Sequence, residues 1–168
     1  INMASGNVAI KYNLQGPNIS IVSACSSAGH SIGYSARSIL YGDADIMITG
    51  GSEAGITPLG LAGFNAAKAL STNNENIQGA SCPWDKERDG FLLGEGAGIL
   101  VLEELTSALN RDANIYGEVV GFGQSDDAYH ITAPAEDGRG AYNAMKNALN
   151  DFNEDHSLID YINAHGTS

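Results

Sequence analysis

Positive charge is scarce in this 168-residue chain: eight Lys and Arg stand against twenty Asp and Glu, for a formal net charge of -12. A nucleic-acid binder needs a basic face to meet phosphates, and cations scattered from Lys11 to Lys146 do not make one. An acidic protein partner is compatible with this balance wherever a local basic patch forms. Cysteine is nearly absent. Cys25 and Cys82 form no CxxC pair, which argues against a zinc site, and no metal site is expected. A single Cys25–Cys82 disulfide stays open as an alternative, with no other sign of secretion. No apolar run approaches the length of a membrane span, and no signal peptide is visible. Charged residues make up only 17%, too few for a disordered or coiled-coil chain.

What is plentiful is glycine, at 21 residues, within a chain that is 43% hydrophobic. That apolar fraction is enough for a core of ordinary domain size. Glycines gather where backbones turn or pack closely, as at strand ends in α/β folds. Both ends read as cut. Ile1 enters directly into apparent order, and Ser168 stops inside the polar run Asn163-Ala-His-Gly-Thr-Ser168, so a piece of a longer protein is expected.

Residues 19–24 alternate and are rich in β-branched side chains, which predicts a strand. Ala28, Ile32, Ala36, Ile39 and Leu40 then recur at helical spacing, with Gly42 as the stop. Ile46–Thr49 reads as a buried strand ending at Gly50-Gly51, and a helix of small residues is expected within 57–70. A polar loop over 71–90 follows. Strands are predicted near 97–103 and 115–123 around a short helix, then an irregular segment over 124–138, a helix near 139–152 and a short strand at 160–163. Strand–helix–strand alternation followed by adjacent strands predicts α/β layering with a mixed sheet.

Two residues carry the chemistry. Cys25 stands between the apolar strand and a Ser-rich helix start, where free N–H groups and the positive dipole end favour a thiolate and can hold an oxyanion. The alternative for Cys25 is an inert core cysteine. His165 follows a short strand beside Gly166 and Thr167, where a loop can aim an imidazole into a cleft for hydrogen-bond donation or proton transfer. Its alternative is a loop histidine bonded to backbone. Two apparent motifs are discounted. Gly29-His-Ser-Ile-Gly33 matches G-x-S-x-G, but Ser31 falls inside the predicted helix rather than at a strand-to-helix turn. Gly94-Glu-Gly-Ala-Gly98 precedes a strand, so no helix dipole is available for phosphate. In Asp85-Lys-Glu-Arg-Asp-Gly90, Arg88 between carboxylates is expected to hold a structural ion-pair network, and His30 and His156 read as ordinary helix or surface residues.

Taken together, the segments Gly16-Pro-Asn-Ile-Ser-Ile-Val-Ser-Ala-Cys25, Gly42-Asp-Ala-Asp45, Thr57-Pro-Leu-Gly-Leu-Ala-Gly-Phe64, Ala69-Leu-Ser71, Pro83-Trp-Asp-Lys-Glu-Arg-Asp-Gly-Phe91, Gly94-Glu-Gly-Ala-Gly98, Asp127-Ala-Tyr-His130 and Asn163-Ala-His-Gly-Thr-Ser168 occur in a fixed order across nearly the whole chain. In that order they resemble the condensing enzymes of the thiolase superfamily, above all the elongating β-ketoacyl-acyl carrier protein synthases of the synthase II group.

The resemblance implies a partial thiolase-like layered α/β fold, with residues 1–168 as a central segment covering the later first half and the start of the second. It implies that Cys25 carries the acyl chain as a thioester and supplies its own N–H to the oxyanion hole. His165 matches the first of two active-site histidines, which bind the malonyl thioester carbonyl and promote decarboxylation. Ala24, Gly60 and Phe64 match acyl-pocket positions, Thr132 and Thr167 positions near the phosphopantetheine arm, and Lys68 a basic position facing the acidic carrier protein. His130 lies near that entrance. The implied partners are acyl and malonyl forms of acyl carrier protein and a second copy in a homodimer. No cofactor is implied, and the compartment is the bacterial cytoplasm.

The sequence also departs from the family pattern. Ser26-Ser-Ala-Gly-His30 is a variant of the usual run after the nucleophile, and Cys82 stands where a basic residue is common. The family's second histidine, its lysine and its Gly-Phe-Gly-Gly loop would lie beyond Ser168. A thiolase, a polyketide ketosynthase domain and a non-catalytic chain-length subunit are the rival readings. The Trp84-Asp85…Asp89-Gly90 signature disfavours the first, and Cys25 disfavours the last.

Overall fold

The computed structural model describes the chain except residues 131, 132 and 168. It divides into two compact units, Ile1–Gly51 with Ile99–Leu158, and Ser52–Gly98 with Ile159–Ser168.

The first unit opens with α1 (Met3–Tyr12), where the sequence pattern assigns no element, closed by Asn13 in the left-handed region at φ 54°. Helix α2 (Ser27–Leu40) follows the predicted periodicity. It ends as expected at Gly42, φ 78°, where the Gly42 N–H reaches the Ile39 carbonyl and the Asp43 N–H the Ser38 carbonyl. Strand β1 (Ile46–Ala54) runs on through Gly50-Gly51 into the second unit instead of ending there, and β2 (Glu95–Glu103) pairs with it. The Glu104 N–H donates to the Asp45 carbonyl, so the end of β2 lies beside the start of β1 and the pair is antiparallel. Glu104 then caps α4 (Leu105–Asn110) by accepting from the Ser107 N–H. Helix α5 (Arg139–Phe152) closes the unit.

The second unit holds the far ends of both strands, α3 (Pro58–Ala66) and the long loop over 71–90, which carries only the short turn Ile77–Gly79. Thr57 caps α3 with its hydroxyl and Pro58 fills the first turn.

Three predicted strands do not form. Residues 19–24, 115–123 and 160–163 carry no ladder, Ser23 making only an isolated bridge with Cys25, and the sheet among the described residues has two strands rather than a mixed set. β-Propensity alone cannot make a strand, because the extended backbone is stabilised only by a partner. The segment 115–123 is instead tied to α5 by the Phe122 N–H, which donates to the Asp151 carboxylate. The expected core is also thin. Its buried apolar residues among those described are Ala80, Ala108 and Ala135, while Ile99, Val101 and Tyr116 stay exposed.

Candidate active site

Cys25 lies in the first unit at the turn that enters α2, exposed and with a free thiol. Ala24 just before it has φ 52°. For an L-residue other than glycine this left-handed region costs about 1–2 kcal/mol, so something must hold it. Ser27 does so from both sides. Its hydroxyl accepts from the Ser23 N–H at 2.9 Å and donates to the Ala24 carbonyl at 2.6 Å. Each such bond contributes about 0.5–1.5 kcal/mol net, enough to offset the strain. The Ser26 and Ser27 N–H groups bond to the Ser23 and Ala24 carbonyls. Those two donors are therefore occupied.

A second tie was not legible as function. The Ser23 hydroxyl lies 2.6 Å from Nδ1 of His30, so His30 is no ordinary helix residue. His30, Gly33, Tyr34 and Arg37 recur at helical spacing on one face of α2. Phe122 packs on that face. Its ring sits where a Cβ on Gly33 would be, meets His30 edge-on at 6.2 Å and Tyr34 at 5.8 Å, and lies under the Arg37 guanidinium at 5.1 Å. Behind the helix start, β1 approaches so closely that a Cβ on Gly51 would fall 2.8 Å from the Ala28 methyl. His130, also in this unit, accepts the Ala133 N–H at its Nδ1. Thr132 lies outside the described residues.

The second unit holds His165, Thr167, Gly60, Phe64 and Lys68. His165 is exposed on a loop, without the predicted strand before it. The next residue, Gly166, has φ 53°, and a Cβ there would stand 2.9 Å from Nε1 of Trp84. Trp84 itself takes φ 70°, so the Pro83-Trp-Asp turn and the His165 loop meet through two left-handed residues. Gly60 and Phe64 are four residues apart on one face of α3, and the Phe64 ring stands edge-on to Phe91 at 5.3 Å. Lys68 follows α3 at φ 54°, its N–H on the Asn65 carbonyl and the Ala69 N–H on that of Phe64. This puts a lysine in the helix-end position glycine usually fills, beside the negative end of the helix dipole.

The charged run behaves differently from the expected ion-pair network. Arg88 donates to the Asp85 backbone carbonyl. The organising acid is Asp89, whose carboxylate accepts from the Ser71 hydroxyl at 2.5 Å, the Thr72 N–H at 2.9 Å and the Thr72 hydroxyl at 3.2 Å. The Ser71 hydroxyl and then the Thr72 N–H hold its carboxyl below the ordinary carboxylate range. Asp89 thereby ties both ends of the 71–90 loop, and the Leu70–Phe91 bridge lies beside it.

Residues 1–108 match the family description "Beta-ketoacyl synthase, N-terminal domain", and residues 116–168 match "Beta-ketoacyl synthase, C-terminal domain". The chain is 58% identical to the 3-oxoacyl-[acyl-carrier-protein] synthase 2 of Vibrio cholerae, over all of this chain and 41% of that protein. It is 52% identical to the mitochondrial 3-oxoacyl-[acyl-carrier-protein] synthase of Arabidopsis thaliana, over 37% of that protein. It thus spans about two fifths of the length of these relatives. Among solved structures, a type II polyketide ketosynthase in complex with its acyl-carrier protein matches at a TM-score of 0.95 and 40% identity, over 98% of this chain and 41% of that one. A β-ketoacyl synthase from Burkholderia phymatum matches at 0.92 and 38%, over 98% of this chain and 40% of that one. The fold is therefore the thiolase-like ketosynthase fold, in part.

Proposed function

This chain belongs to the β-ketoacyl synthase family, and we propose that it is the central segment of a condensing enzyme of fatty-acid elongation, with Cys25 as the acyl acceptor and His165 as a decarboxylation histidine. The observation that carries the reading is the bonded turn at Cys25: an exposed thiol at a helix entry, its backbone fixed by Ser27. Its own N–H is the proposed oxyanion donor.

In the first half-reaction the Cys25 thiolate attacks the thioester carbonyl of acyl-acyl carrier protein. The tetrahedral oxyanion collapses, the carrier thiol departs with a proton, and a Cys25 thioester remains. In the second, the C–C bond to the malonyl carboxylate breaks and CO₂ leaves. The resulting enolate carbon attacks the Cys25 thioester carbonyl and expels the Cys25 thiolate. The product is 3-oxoacyl-acyl carrier protein. His165 donates to the malonyl thioester oxygen as charge builds there, which stabilises the transition state more than the ground state.

The carrier protein as partner is supported by the solved ketosynthase that holds one, and Lys68 is the proposed contact for its acidic surface. Thr167, and Thr132 by resemblance, would meet the pantetheine arm, and Ala24, Gly60 and Phe64 the acyl chain. A homodimer in the bacterial cytoplasm completes the reading. Among the described residues no helix is long and apolar enough to cross a membrane. The polyketide alternative gains from the structural match at 40% identity, and the fatty-acid reading from the 58% match. One two-carbon addition per acyl-enzyme supports elongation; a ladder of repeated additions supports the polyketide reading.

The direct test is Cys25→Ser in the complete protein, incubated with acyl-acyl carrier protein and read by intact mass. A hydroxyl is not ionised near neutral pH, so the acyl adduct should vanish. An adduct that survives in the Ser variant at the wild-type rate overturns the assignment.

A further inference from the structure

We propose that Ser23 and His30 are positioning residues for the nucleophile: their hydrogen bond fixes the left-handed Ala24 backbone and so aims the Cys25 thiol and N–H. This rests on the reading of Cys25 as acyl acceptor and adds a specific device to it. The bond spans the turn, joining the residue two before Cys25 to a side chain one helical turn beyond it, at 2.6 Å. Ser27 holds the same turn from inside by its bonds to Ser23 and Ala24. His30 cannot swing away freely, because the Phe122 ring meets it edge-on and is itself lodged over Gly33 and bonded through its N–H to Asp151 on α5. The chain of contacts is thus α5, Phe122, His30, Ser23, Ala24, Cys25. Two helices brace one exposed free thiol. Neither residue touches the reacting atoms. Their effect is on geometry, and a displacement of about 1 Å at a reacting group can lower a rate by about a hundredfold.

The test uses the complete protein and single-turnover acylation by acyl-acyl carrier protein, followed by intact mass, with urea unfolding in parallel. Ser23→Ala and His30→Phe should each lower the maximal acylation rate by about tenfold with the half-saturating donor concentration little changed. Ser23→Thr, which restores a hydroxyl, and His30→Asn, which restores a polar atom near Nδ1, should recover most of that rate. The double variant Ser23→Ala/His30→Phe should be no slower than either single, because both remove one bond. Wild-type acylation with unaltered rates in the single variants overturns the positioning role and leaves Cys25 intact as acceptor. So do losses that multiply in the double variant, or that track urea stability and resist rescue. Absence of acylation in the wild-type protein instead sinks the reading on which the proposal rests.

Discussion

The two proposed catalytic groups are held in opposite ways. Cys25 sits in a turn wired almost wholly by its neighbours: Ser23, Ser27 and His30 lie within five residues of it and make the bonds that shape it. His165 sits on a loop with no regular element of its own, and what fixes that loop comes from far away in the chain. Trp84 lies against Gly166, and Asp89 anchors the loop that carries Trp84 by reaching back to Ser71 and Thr72. The Cys25 turn depends on a distant contact only at its outer brace, Phe122 against His30. A group held by long-range contacts fails when any of them slips. The nucleophile must be ready before substrate arrives, and local wiring suits that need.

Two glycine substitutions set these modes against each other. Gly166→Ala adds a Cβ 2.9 Å from the Trp84 indole at a residue with φ 53°, so the His165 loop must shift. Decarboxylation should fall about a hundredfold while acylation persists. Gly51→Ala adds a Cβ 2.8 Å from the Ala28 methyl at the helix start behind Cys25. Overpacking there should destabilise by about 1–3 kcal/mol and slow acylation about tenfold. Gly29→Ala, with nothing within 4 Å, is the control and should do neither. Reversed partitioning of the two half-reactions between Gly51→Ala and Gly166→Ala would break the comparison.

A smaller effect is expected at Lys68. Lys68→Glu should weaken use of carrier-bound donors severalfold and flatten the dependence on salt, while small acyl-coenzyme A donors are little affected. Lys68→Gly separates charge from backbone. It should relieve the φ 54° strain and stabilise the end of α3 by roughly 1 kcal/mol, yet still lose carrier preference. Equal loss with both donor types would place Lys68 in folding or in the pocket.

The smallest effect is at Asp89 and depends on pH. Its folded carboxyl titrates below the ordinary value of 3.8, so its contribution is full above that value and is lost as pH falls through the lowered one. Asp89→Asn should therefore lower stability at pH 7, where the carboxylate contributes fully, cost little near pH 3, and so flatten the acid limb below about pH 4. An unchanged acid limb by urea titration at pH 3 and pH 7 would show that this loop anchor carries no charge-dependent role.

What could be read from sequence follows the same division. Helix α2, its start beside Cys25 and its stop at Gly42 were legible because helical periodicity and a glycine stop are local signals. Ser31 falls inside α2 as the pattern placed it, while β2 starts at Glu95, earlier than expected, so Gly96 and Gly98 lie within the strand and only Gly94 precedes it. The strands at 19–24, 115–123 and 160–163 failed because a ladder needs a partner that propensity does not name. The role of Asp89 was hidden behind Arg88, since spacing shows charges but not which hydroxyls reach them. The role of His30 is hidden for a related reason: its partner Ser23 is seven residues away across a turn, and its brace Phe122 comes from a segment that reads as a strand.

The central claim is that acyl acceptance belongs to the Cys25 turn and decarboxylation to the His165 loop. It is tested most directly by His165→Ala in the complete protein, with acylation followed by intact mass and CO₂ release from labelled malonyl-acyl carrier protein measured side by side. The account predicts an acyl-enzyme that forms at close to the wild-type rate and CO₂ release slowed by about 10²–10³, the usual effect of losing one donor to a developing oxyanion. Collapse of acylation with CO₂ release intact would contradict it.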